Sequence, residues 1–539
     1  MRALPRYANP TGATLLLLAV ACYWRLGFAY GVGDHEELVP QLLRLLDPTL
    51  FPRDPYLLAE DGHFSVRFVF LGMLRGLSAV MPPEVAFFTL TAASWVGVSW
   101  AAYRLAFTLV SSRAAATLAV LGSLVTVYWV PGGNALFSAT IVPEPLAWVP
   151  CLLATEAFLR GRPLPAAALL GVAAWMQPLM GLQMGLLLGL VALWQAADGE
   201  PGRAVGRAAA FGVAFFVVAS PILIPTLLTQ AGNPPVPDDG LTTFRVTAEL
   251  RQAHHYLLFS QPASVLAKFG LVVAAGLGGL ALLRRRGGAR YLQTTLRMLA
   301  VIAVLVVFYV AMTEGAESLT VAKMQFFRLL VVAKLVLVTW ASGAIAGRFT
   351  APRRAVLTRI VDRPAVAWTA SGALLALTVA LAVADVGRPG AMWKIRDHTE
   401  SDLYRLERWV EAETPRDAVF LVPPSMSAFR TFALRSVAIN FKPTTFRDEA
   451  MHEWLARIRT VAPTPLPERG GLGWQADLDR AYHAHSRASW AELAETFDAD
   501  YALVDTTLLQ TPPTDRPAAA AGPWAVYDLG RPRGGAGAD

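Results

Sequence analysis

Gly31-Val32-Gly33-Asp34-His35-Glu36-Glu37 follows directly on an apolar run that begins at Thr11. Four ionisable side chains in succession at the mouth of a membrane-length helix are not packing residues. A charge at bilayer depth costs roughly 2.5–3.5 kcal/mol on insertion scales, so ionisable groups at that edge are read as functional. The rest of the chain then reads as a scaffold that presents this loop, with a soluble domain able to cover it.

Composition supports the membrane reading. Of 539 residues, 55% are hydrophobic and 16% charged, against about 25% charged in ordinary soluble domains. The mean hydropathy is +0.43. The net charge of +7 comes mostly from arginines beside helix ends, where they orient spans, and is no nucleic-acid footprint. Cys22 and Cys151 both fall in apolar runs, so neither a disulfide framework nor a thiolate metal site is expected. Arg2 and Arg6 precede the first run, but Arg25 interrupts it and no small-residue cleavage site follows; it reads as an uncleaved first helix.

With about 20 apolar residues needed per crossing, spans are expected near 11–31, 84–110, 113–131, 144–160, 164–177, 178–197, 204–229, 263–284, 291–312, 326–347 and 364–386. Arginine-rich connectors (Arg160 and Arg162; Arg203 and Arg207; Arg284, Arg285, Arg286 and Arg290; Arg348 to Arg363) then face the cytoplasm. Parity turns the loops 32–83, 132–143, 230–262 and 313–325 outward, together with everything after 386. Residues 64–81 break that parity as a span. With Arg67 and Arg75 on one side and Phe68, Phe70, Leu71, Leu74 and Leu77 mostly on the other, they read as a helix lying in the interface. Pro178 divides a long apolar run into two helices meeting near Gln177-Pro178, the kind of break that lines a cavity.

The expected fold is an α-helical polytopic membrane protein of about eleven transmembrane helices over residues 1–388, followed by a C-terminal extracytoplasmic α/β domain over 389–530 and a disordered tail, 531–539. In the soluble domain, strands are expected at 418–422, 436–441, 501–504 and 524–527, and helices at 401–412, 446–460 and 487–497.

Candidate site residues cluster in the outer loops. Asp34, His35, Glu36 and Glu37 offer carboxylates for general-base work at an acceptor hydroxyl; the simpler reading has Asp34 capping a helix over 35–46. Asn134 and Glu144 would add polar groups to the same cavity, or Glu144 would sit on a helix dipole. Arg251, His254, His255 and Tyr256 suit a phosphate better than a metal, since adjacent histidines point apart. Lys323, Gln325 and Arg328 bring cations to an outer mouth, against the positive-inside trend, and so call for an anionic partner; Glu314 or Glu317 is the alternative to a phosphate. Arg430, Arg435 and Lys442 gather near the end of the strand 418–422, as a site or as a solvated face. No P-loop, dinucleotide fingerprint or zinc signature is present in the sequence.

Together, the first helix followed by an acidic outer loop (Asp34-His35-Glu36), the interfacial 64–81 segment, the many spans and the C-terminal domain resemble the GT-C superfamily of membrane glycosyltransferases, and its uncharacterised bacterial members in particular. The resemblance covers 1–386 in architecture and is specific mainly at 31–56. It implies transfer of a sugar, with inversion, from a polyprenyl-phosphate donor to an extracytoplasmic glycan, lipid or protein acceptor. A carboxylate, Asp34 or Glu36, would be the base. The location implied is the bacterial cytoplasmic membrane, N-terminus inside; a divalent cation, Mg or Mn, is compatible with that chemistry. Two other classes fit the same composition: a lipid or small-molecule transporter using the broken helix, and a non-catalytic membrane protein of polysaccharide assembly.

Overall fold

The computed structural model describes residues 9–197, 201–231, 236–285, 290–349, 398–426, 428–443 and 447–530. Among these, six helical runs are long and apolar enough to cross a membrane: Pro83–Val110, Pro178–Gln195, Val205–Thr229, Ala263–Arg285, Leu292–Gly315 and Leu319–Gly347. The expected span at 364–386 and the tail at 531–539 lie outside the described residues.

Prolines set the helix starts. Pro55, Pro83, Pro143 and Pro163 each occupy the first turn of a helix, where a missing N–H costs nothing. The helices around the site are α1 (Gly12–Leu26), α2 (His35–Leu46), α3 (Pro55–Glu60), α4 (Phe68–Ser78), α5 (Pro83–Val110), α6 (Arg113–Val125) and α7 (Pro143–Leu159). They continue with α8 (Pro163–Met176), α9 (Pro178–Ala197), α10 (Pro201–Ala231), α11 (Ala253–Tyr256), α12 (Ala263–Arg285), α13 (Leu292–Val310), α14 (Leu319–Ala322) and α15 (Leu329–Phe349). The break at Gln177-Pro178 is present: Gln177 is extended, and α9 begins on the proline.

Three expectations need correction. The first helix stops at Leu26, not near 31, because Gly27 takes a φ of 67° and the chain turns away; at 15 residues it is too short to cross unaided. The helix expected at 64–81 shrinks to the 11 residues of α4, with Arg67 at its head turned inward onto Glu37. Several expected spans are likewise shorter than a crossing, among them α6 and α8.

Packing between spans uses small residues. A Cβ on Gly276 would meet Leu337 at 2.5 Å, and one on Gly279 would meet the Ala341 backbone at 2.7 Å, so α12 and α15 touch backbone to backbone. Lys334, fully buried in α15, donates to the carbonyls of Thr126 (2.7 Å), which also accepts from the Trp129 N–H, and Val127 (3.1 Å), just past the end of α6.

The C-terminal domain has α16 (Asp402–Glu413), α17 (Phe429–Ala433), α18 (Asp448–Val461), α19 (Gln475–Tyr482) and α20 (Arg487–Thr496) around a five-stranded sheet. Its strands are β1 (Val419–Leu421), β2 (Ser436–Val437), β3 (Tyr501–Asp505), β4 (Ala519–Ala521) and β5 (Trp524–Asp528), in the order β2-β1-β3-β5-β4. β1 pairs parallel with β2 and β3, while β5 runs antiparallel between β3 and β4. The connection between α10 and α12 is built into this domain. Its π-helical turn Arg245–Arg251 places Val246 and Leu250 in one hydrophobic core with Val419, Trp454 and Trp474.

Buried charge ties the domain to the first loop. Asp54 caps α3 through the backbone N–H groups of Tyr56 and Leu57, then accepts from Arg430 at 2.5 Å and from the Val437 N–H at 3.0 Å. The Asp54 and Arg430 side chains are 0% and 3% exposed.

Candidate active site

A cavity of about 370 Å³ lies where the loops between the helices meet the C-terminal domain. Its polar wall carries Asp34 and Glu37 from the first loop and Arg67 at the head of α4. Arg251 and Tyr256, Lys323, Gln325 and Arg328 also line it, with Glu144 at the start of α7. Gln177 and Pro178 at the broken helix, Leu179 and Leu182 on α9 and Thr226 on α10 continue the lining toward the spans. One end is therefore charged and the other apolar.

Asp34 heads α2, but its side chain makes no capping bond to the helix. It turns instead toward the cavity, where it is 56% exposed and meets the Lys442 ammonium at 2.8 Å. Partial burial alone would raise its carboxyl. Lys442, with His255 and Arg67 behind it, overrides that and holds the group well below the ordinary carboxylate range. Lys442 responds in kind: burial pulls its ammonium down, and Asp34, Glu36 and Glu37 together push it up.

Glu36 behaves in the opposite way. It is buried, does not line the cavity, and burial pushes its carboxyl up to about 8; Lys442 opposes the rise and Glu37 adds to it. Glu37 lines the cavity and is ion-paired with Arg67, with the Arg251 Nη2 4.0 Å away. Burial works against the charge on Arg67, but Glu37 outweighs it, so this guanidinium stays protonated.

The cations lining the cavity differ in how well they are satisfied. Lys323 pairs with Asp448 at 2.5 Å. Arg251, 5% exposed, donates to the Lys442 carbonyl and lies over Phe441 and Trp454, yet its Nε has no partner among the described residues. Arg328 faces Glu144 only at 3.5 Å, and its buried Nε and Nη1 have no hydrogen bond among the described residues. Gln325 takes a φ of 47° and reaches the Tyr256 hydroxyl at 3.3 Å. Unspent donors on two guanidiniums give this wall the capacity to hold an anion.

Other expected site residues stand elsewhere. His35 is fully buried: its Nδ1 accepts from the Gly31 N–H (3.3 Å) and its Nε2 donates to the Ile141 carbonyl (3.0 Å). Burial brings its ring down to about 4, so it is a neutral structural histidine. His255 is tied to the Gly132 carbonyl at 2.8 Å, joining the second and third loops; burial lowers it, as it lowers His254 to about 3. Neither histidine, nor the buried Asn134, lines the cavity.

Two soluble-domain arginines are also structural. Arg430 is consumed by Asp54 and Asn440, and Arg435 by the Glu411 and Thr414 carbonyls and the Thr414 hydroxyl at the end of α16. Lys442 alone of the three reaches the cavity's acids. The sequence reading missed Thr247, Gln252, Asp448 and Met451 in the lining, and it placed Arg67 on the interface. For Arg67 a signal existed: three acids in one loop demand a cation nearby. Among the described residues no group of three or more His, Cys, Asp or Glu side chains could hold a metal ion.

Residues 401–461 match a family described as a domain of unknown function, DUF6798. No curated protein matches the chain. Among solved structures it is similar to the crystal structure of the oligosaccharyltransferase of Archaeoglobus fulgidus, determined in complex with Zn and sulfate. The TM-score is 0.44 and the identity 14%, over 92% of this chain and 68% of that one. At that degree of likeness the activity has to be argued from the site.

Proposed function

We propose that the chain is a membrane glycosyltransferase of the GT-C kind, moving a sugar from a polyprenyl-phosphate donor to an extracytoplasmic acceptor. The observation that carries this reading is one cavity lined both by an accessible carboxylate, Asp34, paired with Lys442, and by incompletely bonded guanidiniums, Arg251 and Arg328. The donor phosphate would lie against Arg328, Arg251 and Lys323, with its polyprenyl chain running past Leu179 and Leu182 toward the spans. Asp34 would take the proton of the acceptor hydroxyl as that oxygen attacks the anomeric carbon from the opposite face. The bond from that carbon to the phosphate oxygen breaks and the phosphate departs with the electron pair, so the cations do the work of stabilising the leaving group.

The raised Glu36 carboxyl is protonated near neutrality and sits away from the cavity, which favours Asp34 as base. Glu37 would hold Arg67 and Arg251 in position rather than accept a proton.

The presence of Gln177 and Pro178 in the lining favours a second reading, transport of a lipid-linked substrate past a broken helix. One experiment separates the two. Purified protein in lipid nanodiscs is incubated with radiolabelled polyprenyl-phosphate hexoses and a membrane-extract acceptor. Label appearing in acceptor with release of free polyprenyl phosphate supports transfer. Intact donor throughout, combined with donor translocation in proteoliposomes, supports transport and overturns the enzyme reading.

A further inference from the structure

A second cavity, of about 830 Å³, opens between α2, α3 and α4. It shares none of its lining with the first. The partition between them is a chain of polar contacts: the Gln41 amide meets the Tyr56 hydroxyl at 2.7 Å, Arg67 donates to that hydroxyl at 3.2 Å, and Arg67 pairs with Glu37 in the first cavity.

Two groups on the α2 wall are unfinished. Gln41 is 7% exposed, and its amide oxygen has no partner among the described residues. Turning the amide over would only leave its NH2 group unpartnered instead. One turn further on, Arg44 spends Nη2 on Asp61 at 2.7 Å and leaves its buried Nη1 without a hydrogen bond among the described residues. An unpaired buried polar atom has lost its water without gaining a partner, so a ligand that completes both is favoured. Hydroxyl groups donate and accept alike, and neighbouring hydroxyls would serve Gln41 and Arg44 together.

Charge and shape narrow the ligand further. Arg44 and Arg75 are balanced by Glu60 and Asp61, so the lining favours no net charge. Phe64 and Phe68 stand side by side at the rim with ring centroids 5.7 Å apart, and Phe68 is 63% exposed, presenting a flat apolar face to a ligand. We propose that this cavity binds the uncharged, polyhydroxylated end of a glycan, with hydroxyls on Gln41 and Arg44 and a sugar ring on Phe68. The glycan is either free or the headgroup of a membrane glycolipid, and its site backs directly onto the candidate active site.

The test is native mass spectrometry of the full chain in nanodiscs against a panel of neutral di- to tetrasaccharides of glucose, galactose, mannose and N-acetylglucosamine. A second arm presents the same glycans on neutral glycolipids in the disc. At least one panel member binds; Gln41→Leu and Phe68→Ala each weaken it about tenfold, and Asp34→Asn leaves it unchanged. Because Phe68 is exposed, its truncation keeps the fold and guards against a misfolded Gln41→Leu protein. Binding in the glycolipid arm alone supports the site and names its source. No binding in either arm, binding indifferent to both substitutions, or binding lost in Asp34→Asn overturns it. Asp34→Asn acts on transfer without touching this site, so failure of the transfer reading and failure of this one are separable.

Discussion

At the residue scale, neighbouring carboxylates in one acidic stretch have opposite fates because of where their side chains lie. Asp34 faces an ammonium in an open cavity and is held ionised, whereas Glu36 is buried and protonated near neutral pH. If Asp34 is the base, the acid limb of kcat/KM falls below the ordinary Asp value of about 3.9, and Lys442→Met moves that limb upward; a pH–rate profile of both proteins checks this. Glu36 contributes its own pH dependence to stability. Its carboxyl rises from 4.5 unfolded to about 8 folded, so the folded state holds the extra proton and stability falls as pH climbs from 4.5 to 8. Glu36→Gln removes that decline, and thermal melts of wild type and variant diverge progressively toward pH 8. The acidic stretch was legible in the sequence as a candidate site. The split between its members was not, because burial and Lys442, about 400 residues away in the chain, decide it.

At the scale of elements, proline punctuation and apolar length made most helices readable, including the break at Gln177-Pro178. What misled was the assumption that an apolar run is a helix throughout. Gly27 ends α1 early, and Arg67 leaves the α4 surface to pair with Glu37. The short β4, Ala519–Ala521, has no strand signal at all; it exists because β5 offers an edge. Lys334 shows how a short helix is finished inside the bundle, its ammonium capping the end of α6. Lys334→Met leaves the Thr126 and Val127 carbonyls without that donor and lowers stability by about 1–3 kcal/mol, read from thermal unfolding in nanodiscs.

At the scale of the whole molecule, the C-terminal domain is a working wall of the cavity. Lys442 contacts Asp34, Asp448 contacts Lys323, Arg469 contacts Glu314, and Arg430 is buried on Asp54. The sequence showed two regions with different compositions but not this union, nor that Val246 and Leu250, from the connection between α10 and α12, fill the domain's core, since tertiary contacts carry both. Removing one partner of a buried pair strands the other, so Arg430→Met costs about 3–5 kcal/mol; limited proteolysis then cuts the C-terminal domain faster than in wild type. The central claim is that Asp34 is the base of a glycosyl transfer in this cavity. The most direct measurement is the rate of transfer from radiolabelled polyprenyl-phosphate sugar by wild type, Asp34→Asn and Glu36→Gln side by side. The account predicts a fall of about 10²–10⁴-fold in Asp34→Asn and a Glu36→Gln enzyme within about tenfold of wild type. Transfer that survives in Asp34→Asn and collapses in Glu36→Gln contradicts it.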